Sequence, residues 1–208
     1  MIYIVNFPFC NYSAVARLLN RSGFAYQDLD ASININADDA IILPGVGSFE
    51  QGMGFLNKNG LTSLIQSHAE LGGKIIGICL GLQLLFKTSE ESPGCQGLNI
   101  YDGEVVKIPR TSALNVPHIG WNAVHATAHT PQSLTNFFDS SGLSIADFYF
   151  VHSYYSVPTD RSLSIGFIPY TDPHIDVAFC LDNVYAFQFH PEKSGPSGYE
   201  LFSSVLRS

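Results

Sequence analysis

Apolar and polar positions alternate in two different ways along this chain, and the switch falls near its middle. In the first half, short, largely apolar runs predict buried strands at 2–5, Ala40–Leu43 and Lys74–Ile78. Between them, apolar residues recur at helical spacing. The pattern predicts a helix over 11–22, capped by Asn11 or Ser13 and stopped by Gly23, with one or two more over 49–71. A further helical phase runs over 80–87. Strands alternating with helices imply a parallel sheet covered on both faces. In the second half, β-rich runs at 103–108, 148–151, 163–168, 175–181 and 184–189 are separated by Pro, Asp, Asn and Gly. Asp182-Asn183 reads as a hairpin turn, and a helix over 197–206 follows. The expected fold is α/β: a single domain over 1–208 with a mixed, mainly parallel central sheet flanked by helices.

Composition narrows the function. The chain has 208 residues, 46% apolar and 13% charged, with a net charge of −8. That balance suits a buried core and disfavours nucleic acid or an anionic membrane as partner, since no Lys/Arg cluster stands out. The apolar runs are too short to span a bilayer. Met1 leads directly into Ile2-Tyr3-Ile4-Val5 without a basic n-region, so a strand and a cytoplasmic location are expected. Four cysteines lack paired spacing, which predicts neither a zinc site nor a disulfide framework.

Three segments carry candidate chemistry. Gly77-Ile78-Cys79-Leu80-Gly81 sits where a strand becomes a helix, as in a nucleophile elbow. Glycines two residues to either side would remove clashing side chains, and the helix N-terminus would favour a thiolate. Alone, the motif equally fits a small core cysteine. Phe189-His190-Pro191-Glu192 follows the last predicted strand. Pro191 biases His190 to an extended backbone, so Glu192 can lie on the same side and orient the imidazole. A surface turn or a metal site with Cys79 is the alternative, and no further ligand cluster supports the metal. Leu43-Pro44-Gly45-Val46-Gly47-Ser48 could turn a peptide N–H toward a developing oxyanion, with the Leu80 amide as second donor. The spacing does not fit a dinucleotide fingerprint.

Taken in this order, the segments resemble class I glutamine amidotransferases. More narrowly, Val116-Pro-His-Ile-Gly-Trp-Asn122, Phe150-Val-His-Ser-Tyr-Tyr155 and Gln188-Phe-His-Pro-Glu-Lys-Ser-Gly195 resemble glutaminase subunits of imidazole glycerol phosphate synthase. The resemblance covers nearly the whole chain. It implies Cys79 as nucleophile, His190 as acid and base, Glu192 as orienter, and an oxyanion hole from Val46, Gly47 and Leu80. It further implies that Gln83, Glu91, Ser153 and Tyr154 hold glutamine. Pro117, His118, Trp121 and Lys193 would meet a (β/α)8 cyclase subunit in a heterodimer, without cofactor or metal. His152 is expected to be a satisfied interior histidine. One departure concerns the loop after the first strand. The family usually has an Asp-Tyr-Gly-x-Gly-Asn type of sequence, and here it is Asn6-Phe7-Pro8-Phe9-Cys10-Asn11. Segment 169–180 also drifts from the family pattern. Rival expectations are a paralogous glutaminase feeding a sugar amidotransferase, a cysteine peptidase or deglycase of similar architecture, and a binding module with a decayed site.

Overall fold

The computed structural model describes residues 1–110, 115–138, 147–171 and 174–208. Four strands, β1 (Ile2–Ile4), β2 (Tyr26–Asp28), β3 (Ala40–Leu43) and β4 (Lys74–Ile78), join β13 (Val184–Phe187) in parallel, in the order β2-β1-β3-β4-β13. The sheet continues antiparallel through β12 (Ile175–Leu181), β11 (Ser164–Ile168) and β8 (His125–Ala126). Its parallel strands β1, β3, β4 and β13 are almost wholly buried, the reason their sequences read as unbroken apolar runs. The two faces carry separate cores. One packs α1 (Tyr12–Arg21) and α5 (Gly195–Arg207) around Phe148, Phe150, Phe187 and Phe189. The other packs α2 (Phe49–Lys58) and α3 (Leu61–Glu70) around Phe7, Phe86, Tyr101 and Phe179.

Two smaller sheets accompany the central one. One is β10 (Tyr154–Pro158), β6 (Tyr101–Lys107) and β5 (Phe86–Ser89); the other pairs β7 (His118–Ala123) with β9 (Asp147–His152). The single-domain, mainly parallel architecture is the one expected, and the β12–β13 hairpin turns at Asp182, which has φ 51°.

Several local expectations are corrected. The helix after Cys79, α4, covers only Leu80–Leu84, because the carbonyls of Leu84 and Leu85 accept from Leu98, Ile100 and Tyr101 instead of continuing a helix. Phe86-Lys-Thr-Ser then pairs with β6 as a strand. Strands β2, β7, β8 and β10 were not foreseen. The Asn11 side chain does not cap α1; its oxygen accepts from the Ser13 hydroxyl at 3.3 Å. Within the drifting segment 169–180, residues 172 and 173 lie outside the described residues.

Candidate active site

Cys79 ends β4 with φ 51° and ψ −100°, a backbone that side-chain-bearing residues rarely adopt. Close packing enforces the bend. A Cβ on Gly81 would lie 1.9 Å from the Leu43 carbonyl oxygen, and one on Gly77 would lie 2.8 Å from the Leu82 nitrogen. The glycine spacing therefore has the steric cause expected of it. The amide of Cys79 donates to the Phe187 carbonyl of β13 at 2.7 Å, which anchors the elbow to the neighbouring strand.

That strand pairing brings the two ends of the site together. Phe187 lies beside Ile78 in register, so the residues following each strand emerge side by side. Gln188, 109 residues from Cys79 in sequence, directs Nε2 to the sulfur at 3.6 Å. The His190 ring lies beside the same sulfur, with Nδ1–H donating to Glu192 Oε1 at 2.7 Å. Both side chains are almost fully buried, and His190 Nε2 has no hydrogen-bond partner. Burial alone would lower the histidine pKa; the Cys79 sulfur and the Glu192 carboxylate outweigh it and hold it at about 10. The arrangement is a strained sulfur, an imidazole with one free nitrogen, and a carboxylate fixing the other. Chemically it can support nucleophilic attack by sulfur with proton transfer through the ring.

A cavity of about 280 Å³ opens onto the sulfur. Its lining includes Val46, Gly47, Gln83, Glu91, Ser153 and Tyr154. All four expected glutamine-contacting residues thus face one space. Gln83 is nevertheless engaged from behind, its Nε2 donating to the Tyr154 carbonyl at 3.2 Å and to Gln188 Oε1 at 3.3 Å. Glu91 Oε2 accepts from the Phe49 amide at 2.7 Å, adding a negative charge at the start of α2. A wider hollow between α1 and α5, lined by Arg21, Tyr199 and Arg207, contains none of the candidate residues. Among the described residues, no group of three or more His, Cys, Asp or Glu is placed to hold a metal ion.

The expected oxyanion donors are placed differently. Leu80 N–H is not free, because it donates to the Gly45 carbonyl at 3.4 Å. The Val46 carbonyl accepts from Cys10 Sγ at 3.5 Å. The carbonyl that occupies Leu80 N–H belongs to the peptide joining Gly45 to Val46, whereas the expectation centred on Val46 and Gly47.

His118 is also corrected. It is buried rather than part of an outer surface, because strand alternation on β7 turns Ile119 and Trp121 outward and His118 and Asn122 inward. The Tyr154 carbonyl can only accept, so the Nδ1 of His152 donates to it at 2.8 Å. Its Nε2 lies 3.0 Å from His118 Nδ1, and His118 Nε2 lies 2.8 Å from Asn122 Oδ1. Burial lowers the pKa of both rings, that of His152 to about 3. Trp121 and Ile119 are each more than half exposed. Lys193 Nζ lies 5.6 Å above the Tyr149 ring, which Trp121 meets edge-on at 5.7 Å.

Sequence reasoning missed Gln188, Gly45 and Tyr149. Gln188 flanks the His190 motif directly, but only the β4–β13 pairing reveals that it meets the sulfur.

Comparison with known proteins agrees with this geometry. The model of the family described as "Glutamine amidotransferase class-I" matches residues 14–206. The imidazole glycerol phosphate synthase subunit HisH of Moorella thermoacetica is 39% identical, covering 98% of this chain and 92% of the relative. The subunit of the same name from Thermococcus kodakarensis is 40% identical over the whole of both chains. Among solved structures, a glutamine amidotransferase superposes with a TM-score of 0.71 at 14% identity, covering 100% of this chain and 99% of the other. A structure titled PurLQS from Thermotoga maritima gives 0.69 at 22% identity, covering 99% and 97%; both show likeness of fold. The chain belongs to the class I glutamine amidotransferases, within the group of imidazole glycerol phosphate synthase HisH subunits.

Proposed function

We propose that this chain is the glutaminase subunit of an imidazole glycerol phosphate synthase, acting in histidine biosynthesis in the cytoplasm. It would hydrolyse glutamine and pass the ammonia to a (β/α)8 cyclase subunit. The observation that carries the chemistry is the strained Cys79, which lines the cavity, beside the His190–Glu192 pair. The sulfur, as thiolate, attacks the side-chain carbonyl carbon of glutamine, and the π electrons move onto oxygen. The His190 imidazolium gives its proton to the departing nitrogen, the C–N bond breaks, and ammonia leaves a γ-glutamyl thioester. Water then attacks the thioester carbon, His190 takes its proton, and glutamate leaves as the thiolate is restored.

The position of the Gly45 carbonyl supports a resting state for the free chain. Rotating the Gly45-Val46 peptide would release Leu80 N–H and bring in Val46 N–H, and each oxyanion donor is worth about 10²–10³ in rate. Pro117 at the cavity mouth, the exposed Ile119 and Trp121, and Lys193 make up the face on which we place the cyclase. Such a partner is needed because ammonia released to water would be protonated and lost as a nucleophile. No described helix is long and apolar enough to cross a membrane. Relatives named as imidazole glycerol phosphate synthase subunits do not favour the sugar-amidating alternative. The test is glutamine hydrolysis by the chain with and without the cyclase subunit and its phosphoribosyl substrate. Stimulation of at least about a hundredfold, one donor's worth, is expected. Equal turnover in both states would overturn the resting-state reading.

A further inference from the structure

The turn between β1 and α1 takes no part in the chemistry above, yet it is packed against the loop that carries the blocking carbonyl. Phe7 N–H donates to the Val5 carbonyl and Cys10 N–H to the Phe7 carbonyl, both at 3.1 Å, and Pro8 removes backbone freedom between them. The buried Phe7 ring stacks on Phe9 at 5.4 Å and meets Phe55 of α2 at 5.2 Å. This aromatic group anchors the turn to the core.

From that base two side chains reach the loop. Cys10 Sγ lies 3.7 Å from the Pro44 carbonyl oxygen and 3.5 Å from that of Val46. These carbonyls belong to the peptides immediately before and after the Gly45-Val46 unit. The Phe9 ring covers Gly47, where φ is 124° and an added Cβ would lie 2.8 Å from the ring edge. Only glycine fits that backbone and that gap. Burial pushes the Cys10 thiol up to about 11, against the lowering effect of its bond to Val46, so it remains a donor at neutral pH.

We propose that Cys10 and Phe9 form a latch holding the 44–47 loop in its resting conformation, which makes Cys10 a positioning residue for glutamine hydrolysis by this chain. The inference rests on the glutaminase reading. Turning the Gly45-Val46 peptide requires torsions shared with the two flanking peptides, and the latch narrows both. A thiol is a weak donor, so the restraint is small enough for a partner to overcome.

The experiment compares wild type with Cys10→Ala, Cys10→Val and Cys10→Ser, each free and in complex with the cyclase subunit and its phosphoribosyl substrate. Cys10→Val keeps volume without a donor, and Cys10→Ser keeps a donor. For Ala and Val, kcat of the free chain should rise about fivefold, the equivalent of one hydrogen bond. The KM for glutamine should stay within about twofold, since Cys10 does not line the cavity. The complex should be unchanged, so its ratio to the free chain contracts, while Cys10→Ser stays close to wild type. Folded Ala and Val variants whose free-chain kcat is unchanged or lower would overturn the latch. If the wild-type complex releases no ammonia from glutamine, the functional reading itself fails, and the two failures are told apart by that control.

Discussion

The elbow at Cys79 and the loop at 44–47 face the same cavity but are held by different forces. The elbow is fixed from below: strands β3, β4 and β13 are buried, the amide of Cys79 is bonded to β13, and two glycines leave no room for another backbone path. The loop is held from the side, by a 3.4 Å bond to Leu80, a thiol and a ring edge. Moving the elbow would disrupt the core, whereas turning one loop peptide disrupts a few weak contacts. In the proposed chemistry, rigidity therefore sits where a nucleophile would have to be aimed, and freedom where charge stabilisation would be switched.

Removing parts of each region should separate these roles. The largest effect is expected for Cys79→Ala, which should lower glutamine hydrolysis by the complex by about 10⁴-fold or more while the chain stays folded. Residual turnover near wild type in an ammonia-release assay would break the assignment. Glu192→Gln should cost about 10²–10⁴ in kcat, because the ring loses its orienter. The same variant has a signature in stability. The His190 pKa is raised in the folded chain from an ordinary 6.5 to about 10. Its stabilising contribution is complete below pH 6.5 and is lost as the pH rises through 10. The Tm of wild type should therefore fall more steeply between pH 7 and 10 than that of Glu192→Gln. Parallel curves would show that the carboxylate does not hold the proton.

Gly81→Ala tests the rigidity of the elbow. The added carbon meets the Leu43 carbonyl at 1.9 Å, so stability should drop by about 1–3 kcal/mol in urea unfolding. An unchanged midpoint would mean the elbow can relax. Trp121→Ala should have the smallest effect on the free chain, within about 0.5 kcal/mol, because the ring is more than half exposed. It should weaken cyclase binding by about 2 kcal/mol in titration calorimetry. Unchanged affinity would move the docking face away from β7.

The primary structure by itself determined the repeating pattern and the local chemistry. Buried parallel strands must be apolar throughout, so β1, β3 and β4 were legible from residue type alone. A cysteine between Gly77 and Gly81 could be recognised because the elbow's steric demand is local. The pairing of His190 with Glu192 was legible within one segment, although a 3-10 turn over Pro191–Lys193, not continued extended chain, brings the carboxylate to the ring. Tertiary structure decided everything that depends on which segments become neighbours. Helix α4 stops at Leu84 because a distant stretch claims its carbonyls. Gln188 meets the sulfur because β13 pairs with β4. His118 turns inward because β7 has β9 beside it and a buried histidine to bond. The direction of the Gly45 carbonyl is likewise invisible in residue identities, since a peptide can turn over without changing a side chain. Such choices depend on contacts between residues far apart in the chain, which no local pattern encodes.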